Sequence, residues 1–74
     1  MPPKLPVVSS RAVIRALQRV GFEEVRHRGS HVILLREGQP VVVPVHRTIR
    51  KGTLRNIIRQ ANITVEEFVR LLGE

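Results

Sequence analysis

Three histidines, His27, His31 and His46, are the acid–base side chains of this sequence suited to work near neutral pH, since an ordinary imidazole titrates at about 6.5. His31 stands out by its setting in Arg26-His27-Arg28-Gly29-Ser30-His31-Val32-Ile33-Leu34-Leu35, where a basic, glycine-containing turn delivers it to the start of an apolar run. The turn offers positive charge and close backbone approach, the run offers a rigid strand, and His31 is the candidate catalytic residue. Such a group suits cleavage of an RNA strand through its own 2′-hydroxyl. That reaction asks for a base to take the hydroxyl proton, an acid for the leaving 5′-oxygen, and cations around the charged phosphorus centre. It asks for no metal or other cofactor, and a histidine contributes about 10² to 10⁴-fold to such proton transfers.

The cations for that role stand nearby in sequence. Arg28 belongs to the turn itself, and His46-Arg47-Thr48-Ile49-Arg50-Lys51-Gly52 is a basic loop. Gly52 and Thr53 open a helix, so free backbone amides, the helix dipole, Arg50 and Lys51 converge on a place for one phosphate. Arg28, Gly29, Ser30, His46, Arg50, Lys51 and Thr53 are therefore the candidate RNA-binding or phosphate-positioning set. Zinc chemistry has no support: there is no Cys or Asp, and no two of the three histidines are spaced i, i+4 on one helix. A Ser30 nucleophile beside His31 is disfavoured, because adjacent strand residues point to opposite faces; Ser30 is expected to bond the turn or a phosphate.

Composition points the same way. Thirteen Lys plus Arg oppose six Asp plus Glu, a formal net charge of +7, and eleven of the thirteen are arginine. A polyanionic partner follows, and the guanidinium fork suits phosphate. Arg11, Arg15 and Arg19, and again Lys51, Arg55 and Arg59, recur at i, i+4 and i+8. Like charges so placed weaken a helix by a few tenths of a kcal/mol per pair, so helix stability does not explain the two stripes. Absent cysteines and the absence of a signal-peptide core place the chain, as an expectation, in a reducing cytoplasm. No apolar run is long enough for a bilayer.

These side chains need elements to hold them, and 74 residues supply one small domain, 1–74, with residues 1–8 extended by their three prolines. Ser9 or Ser10 caps a first helix over Arg11–Val20, whose Val13, Ile14, Leu17 and Val20 recur at helical spacing before Gly21. Three strands follow: Phe22–His27, His31–Arg36 and Pro40–Val45, joined by turns at Arg28-Gly29 and Glu37-Gly38-Gln39. In the second strand His31, Ile33 and Leu35 face one way, Val32 and Leu34 the other. Both faces are apolar, so helices are expected on one, while the other sits under a loop or a partner subunit or stays as an exposed apolar patch, with a partner favoured. Leu54, Ile57, Ile58 and Ala61 mark a second helix ending at Asn62. Thr64 with Glu67 forms a capping box for a last helix that buries Val65, Phe68, Val69 and Leu72 and closes at Gly73.

Gly21-Phe22, Arg28-Gly29-Ser30-His31, Val43-Pro44-Val45-His46 and the run from Lys51 to Ala61, taken together, resemble the HicA family of toxin RNases, also called YcfA-like proteins. The resemblance covers nearly the whole chain, apart from the capped C-terminal helix. It implies an α+β fold like that of a double-stranded-RNA-binding domain, a sheet backed by helices, which agrees with the three-stranded antiparallel meander and the order α-β-β-β-α-α read from the residues. It further implies ribosome-independent cleavage of mRNA, inhibition by a HicB-type antitoxin, and His31 as the catalytic histidine, with His46 supporting. A non-catalytic RNA-binding module of the same fold is the competing reading. A DNA-binding helix-turn-helix over residues 53–72 is opposed by Glu66 and Glu67 on the would-be recognition helix.

Overall fold

The computed structural model describes residues 5–73. It has the expected order: α1 (Ser10–Gln18), β1 (Glu23–Arg28), β2 (His31–Arg36), β3 (Gln39–Pro44), α2 (Lys51–Ala61) and α3 (Val65–Leu72). The strands form one antiparallel meander, β1-β2-β3, so this is an α+β fold. None of the helices is long and apolar enough to cross a membrane among the described residues.

Both hairpin turns are two residues long, one shorter than expected for the second. Gly29, with φ +55°, and Ser30 join Arg28 to His31, which pair directly. Positive φ at the first central position is the type II′ pattern that matches strand twist. Glu37 (φ +48°) and Gly38 (φ +80°) join Arg36 to Gln39, the type I′ pattern. β3 therefore covers Gln39–Pro44 rather than 40–45, and β1 runs to Arg28 with a bulge between Glu24 and Arg26. Phe22 does not begin β1; it is buried in the core just before it.

Alternation separates the two faces of the sheet. Val32, Leu34, Val41 and Val43 are buried beneath the helices, where α1 packs on β3 and α3, and α2 on β3 and α3. Cross-strand partners share a face. Arg28, His31 and Pro44 therefore form one row on the opposite side, and Arg26, Ile33 and Val42 the next. Leu35 and Val42 are exposed on this open face.

Ser9, not Ser10, caps α1, its hydroxyl accepting from the Ala12 amide at 3.2 Å. The helix ends at Gln18, two residues early, and Gly21 (φ +97°) turns the chain toward the sheet. α2 buries Leu54, Ile57, Ile58 and Ala61 and stops at a left-handed Asn62. The Thr64–Glu67 capping box is formed in both directions. α3 departs from expectation in its buried face: Phe68 and Leu71 are the buried residues, with Val65, Val69 and Leu72 only half-buried. Resting mainly against α1, the short helix presents a narrow stripe. Of the extended segment expected over 1–8, residues 1–4 lie outside the described residues; Leu5 is buried and Val8 bridges Ile49.

Candidate active site

His31 sits at the first position of β2, between Arg28 of β1 and Pro44 of β3. Two constraints hold this row. The tight Gly29-Ser30 turn fixes Arg28 opposite His31, and the Val45 amide donates to the Ser30 carbonyl at 2.7 Å, tying the turn to the end of β3. His31 and Arg28 are both exposed, so a large ligand can reach them.

Ser30 belongs to the turn rather than the strand, and the expected divergence of neighbouring side chains does not hold there. Its Oγ lies 3.5 Å from His31 Nδ1, at the long limit of a hydrogen bond. The contact couples the hydroxyl to the tautomer of the ring. If Nδ1 accepts from Ser30, the neutral ring carries its proton on Nε2; if Nδ1 donates, a neutral ring leaves Nε2 free as a base and a doubly protonated ring offers Nε2–H as an acid.

Beyond Pro44 lies a cavity of about 490 Å³ lined by Pro44, His46, Thr48, Ile49, Arg50 and Thr53. Three of the sequence-predicted residues, His46, Arg50 and Thr53, thus surround one space adjoining the His31 row. Its walls are held by contacts distant in sequence. The Ser10 amide and hydroxyl both donate to the His46 carbonyl at 3.1 Å, and the Ile49 amide donates to Val8 at 2.7 Å. His46 is thereby pinned through its backbone while remaining exposed.

The opening turn of α2 supplies the positive end. Arg50 is its N-cap residue and makes no side-chain cap, and no acidic residue occupies the first turn. The amides of Lys51, Gly52 and Thr53 precede the first helical bond, which runs from the Leu54 amide to the Arg50 carbonyl at 2.8 Å. Such amides, with the helix dipole, favour an anion. Lys51 is exposed on this turn but does not line the cavity.

Other basic residues are placed elsewhere. His27 pairs with Val32, not His31, and faces the helix side of the sheet. Arg19 leaves its expected stripe and donates to the Leu71 carbonyl of α3. Arg36 donates to the carbonyls of Val20 and Ala61 and lies over the Phe22 ring. These structural roles have no local signature in sequence, because the partners come from separate elements.

A model of the family described as the HicA toxin of bacterial toxin–antitoxin systems matches residues 10–63. The chain belongs to the HicA toxin family. As a HicA toxin it is the toxin of a toxin–antitoxin pair, and an antitoxin is its partner. The matched span runs from the start of α1 to just past α2 and contains the row and cavity described above; α3 lies beyond it. No curated protein matches the chain.

Proposed function

We propose that this HicA toxin is a metal-independent endoribonuclease that cleaves mRNA without the ribosome, and that its antitoxin is of the HicB type. The observation that carries this reading is the row Arg28–His31–Pro44 beside the cavity of His46, Arg50 and Thr53. It sets an exposed imidazole between two sources of positive charge.

In this mechanism the 2′-oxygen attacks the adjacent phosphorus and the bond to the 5′-oxygen breaks, leaving a 2′,3′-cyclic phosphate and a 5′-hydroxyl. His31 acts as general base toward the 2′-hydroxyl or as general acid toward the leaving oxygen, and Ser30 biases its tautomer. Arg28 and Arg50, Lys51 on the first turn of α2, and the free amides of Gly52 and Thr53 hold the non-bridging oxygens as charge builds there. Gly29, which has no side chain, lets the RNA approach the backbone of the turn closely, and His46 supports the phosphate from the cavity wall. The one domain, 1–74, works in the cytoplasm. Its open face, with Ile33, Leu35 and Val42, is the surface for a second protein chain.

The deciding experiment compares the parent chain with His31→Ala on single-stranded RNA in EDTA. The substitution is expected to lower cleavage by about 10² to 10⁴-fold and to relieve growth arrest while leaving the circular dichroism spectrum unchanged. Full cleavage by the variant sinks the assignment of His31. Binding without new RNA ends in the parent favours the non-catalytic RNA-binding module instead.

A further inference from the structure

We infer that the groove between α1 and β1 binds a single-stranded RNA segment flanking the bond broken at His31, taking a base on its apolar floor and a phosphate at its basic mouth. The inference rests on the endoribonuclease reading. It assigns a role to His27 and to the Arg11–Arg15 stripe, which the His31 site does not use.

The groove exists because α1 leans toward β3 and α3, leaving the β1 side of the sheet's inner face uncovered. Its volume is about 430 Å³. Exposed Val45 and half-buried Ile14 form the apolar floor, with Val32 almost wholly buried behind them; Arg11 and Arg15 stand on the α1 wall, and Glu24 and His27 on the β1 wall. Arg11 and Arg15 are one turn apart and share a helix face. Arg19, next in the stripe, is committed to the Leu71 carbonyl, whereas Arg11 and Arg15 are exposed and line the groove.

The groove has two chemically different ends. Ser10 bonds the His46 backbone and so sets the start of α1 at the His31 end of the sheet, placing Arg11 and His27 there. Gln18 and Glu24 lie toward the other end, on the last turn of α1 and the start of β1. A nucleotide joins an anion to a flat, largely apolar ring edged with donors and acceptors. Cations at the mouth, an aliphatic floor and an amide with a carboxylate beyond match those parts in order.

Continuity with His31 selects RNA over an acidic protein segment. His27 and Arg28 are adjacent in β1 and point to opposite faces, Arg28 into the His31 row and His27 into the groove. Among the described residues, the exposed Gly29-Ser30 turn lies between the faces. A flexible strand leaving His31 can round this rim and meet Arg11 and Arg15 directly. An A-form duplex, recognised by its fixed shape, cannot bend sharply round a sheet edge to follow both surfaces.

The test uses the full chain with uncleavable 2′-O-methyl oligonucleotides, from two to six nucleotides, and a duplex of the same sequence. Parent affinity, read by fluorescence anisotropy, is expected to rise about tenfold with length for the single strand and not for the duplex. In Arg11→Ala/Arg15→Ala that gain disappears, and the slope of log K against log salt falls by about 0.7 for the lost phosphate contact. The His27 ring resonances of the parent should shift with the longer strand. An undiminished gain in the variant, or a static His27 ring, overturns the proposal. So does a His27 signal that responds to an acidic peptide and not to RNA. Failure of the endoribonuclease reading has its own signature: the parent chain leaves unmodified RNA whole. Alanine suits these exposed helical positions, and an unchanged melting curve confirms that the variant folds.

Discussion

Arg36 carries a net positive charge in a basic protein, yet its side chain is structural, and replacing it by Met separates folding from function. The guanidinium donates to Val20 at 2.9 Å and to Ala61 at 3.1 Å, carbonyls just past the end of α1 and at the end of α2. It also lies 4.5 Å from the centre of the Phe22 ring. One residue at the end of β2 thus clamps the ends of two helices and covers the core. Hydrogen bonds from a charged donor are worth about 1.5–3 kcal/mol when well shielded; half-burial lowers this to roughly 1 kcal/mol each. The contact with Phe22 adds about 0.5–1 kcal/mol.

The expected loss for Arg36→Met is therefore about 2–3 kcal/mol, with the methionine stem keeping much of the apolar cover. For a domain of this length each kcal/mol moves the midpoint by about 4–8 °C, so Tm should fall by roughly 10–20 °C. Arg36→Lys keeps the charge, but a single ammonium cannot fork between the two carbonyls, and about half the loss should remain. Thermal unfolding followed by circular dichroism measures both. Cleavage per folded molecule, assayed well below the midpoint, should stay at the parent level, because Arg36 and His31 occupy opposite ends of β2. A midpoint within about 2 °C of the parent would refute the clamp.

Phe68→Ala empties a fully buried site beneath α3 and should cost about 3–5 kcal/mol, enough to leave little native signal in a urea titration. Thr64→Ala removes the hydroxyl that accepts from the Glu67 amide at 3.0 Å; a loss of about 1 kcal/mol in the same titration is expected. Gly29→Val forces a β-branched residue to φ +55° and should cost roughly 1–3 kcal/mol. Gly29→Asn, which tolerates that region, should cost less. Because this turn carries His31, the valine variant should also cleave RNA more slowly at temperatures where it remains folded, and equal rates for the two variants would remove the turn from the mechanism.

How far these features were legible depends on whether local pattern or distant contact decides them. α2 was legible because its four buried positions form one stripe and Asn62 is suited to the left-handed stop. α3 was only half legible. Val65, Phe68, Val69, Leu71 and Leu72 cover so wide an arc that the sequence allows several buried faces, and contact with α1 selects Phe68 and Leu71. β1 had no alternation to read, since all six residues are exposed; a few β-formers among charges and the flanking glycines located it. Ser9 and Ser10 are chemically equivalent as caps, and the choice falls to Ser9 because Ser10 is engaged by His46.

The site shows the same division. His31 at the head of a strand was readable, and its pairing with Pro44 was one residue away from being so. Glu37-Gly38 alone forms the second turn, which pairs Arg36 with Gln39; counting five residues along each strand from there reaches His31 and Pro44. A three-residue turn shifts that register and loses the row. No such counting finds the cavity of His46, Arg50 and Thr53, which depends on Ser10 and Val8 gripping a loop nearly forty residues away.

The edges of the sheet explain why function falls to its faces. On β3, Pro40 and Pro44 lack amide donors, and the Val42 amide donates to the Gln60 side chain of α2 at 3.3 Å. On β1 the bulge and the flanking Glu and Arg side chains break up a flat ladder. Prolines, charges and bulges are the devices by which edge strands resist pairing with another strand. What remains accessible is the open face that carries His31 and Arg28, and the groove that carries Arg11, Arg15 and His27, joined over the short Gly29-Ser30 rim. A single bend at that glycine therefore both sets the register of the His31 row and keeps the passage between the two surfaces narrow. Widening the turn should disturb both, whereas lengthening the Glu37-Gly38 turn at the far end should disturb only the register.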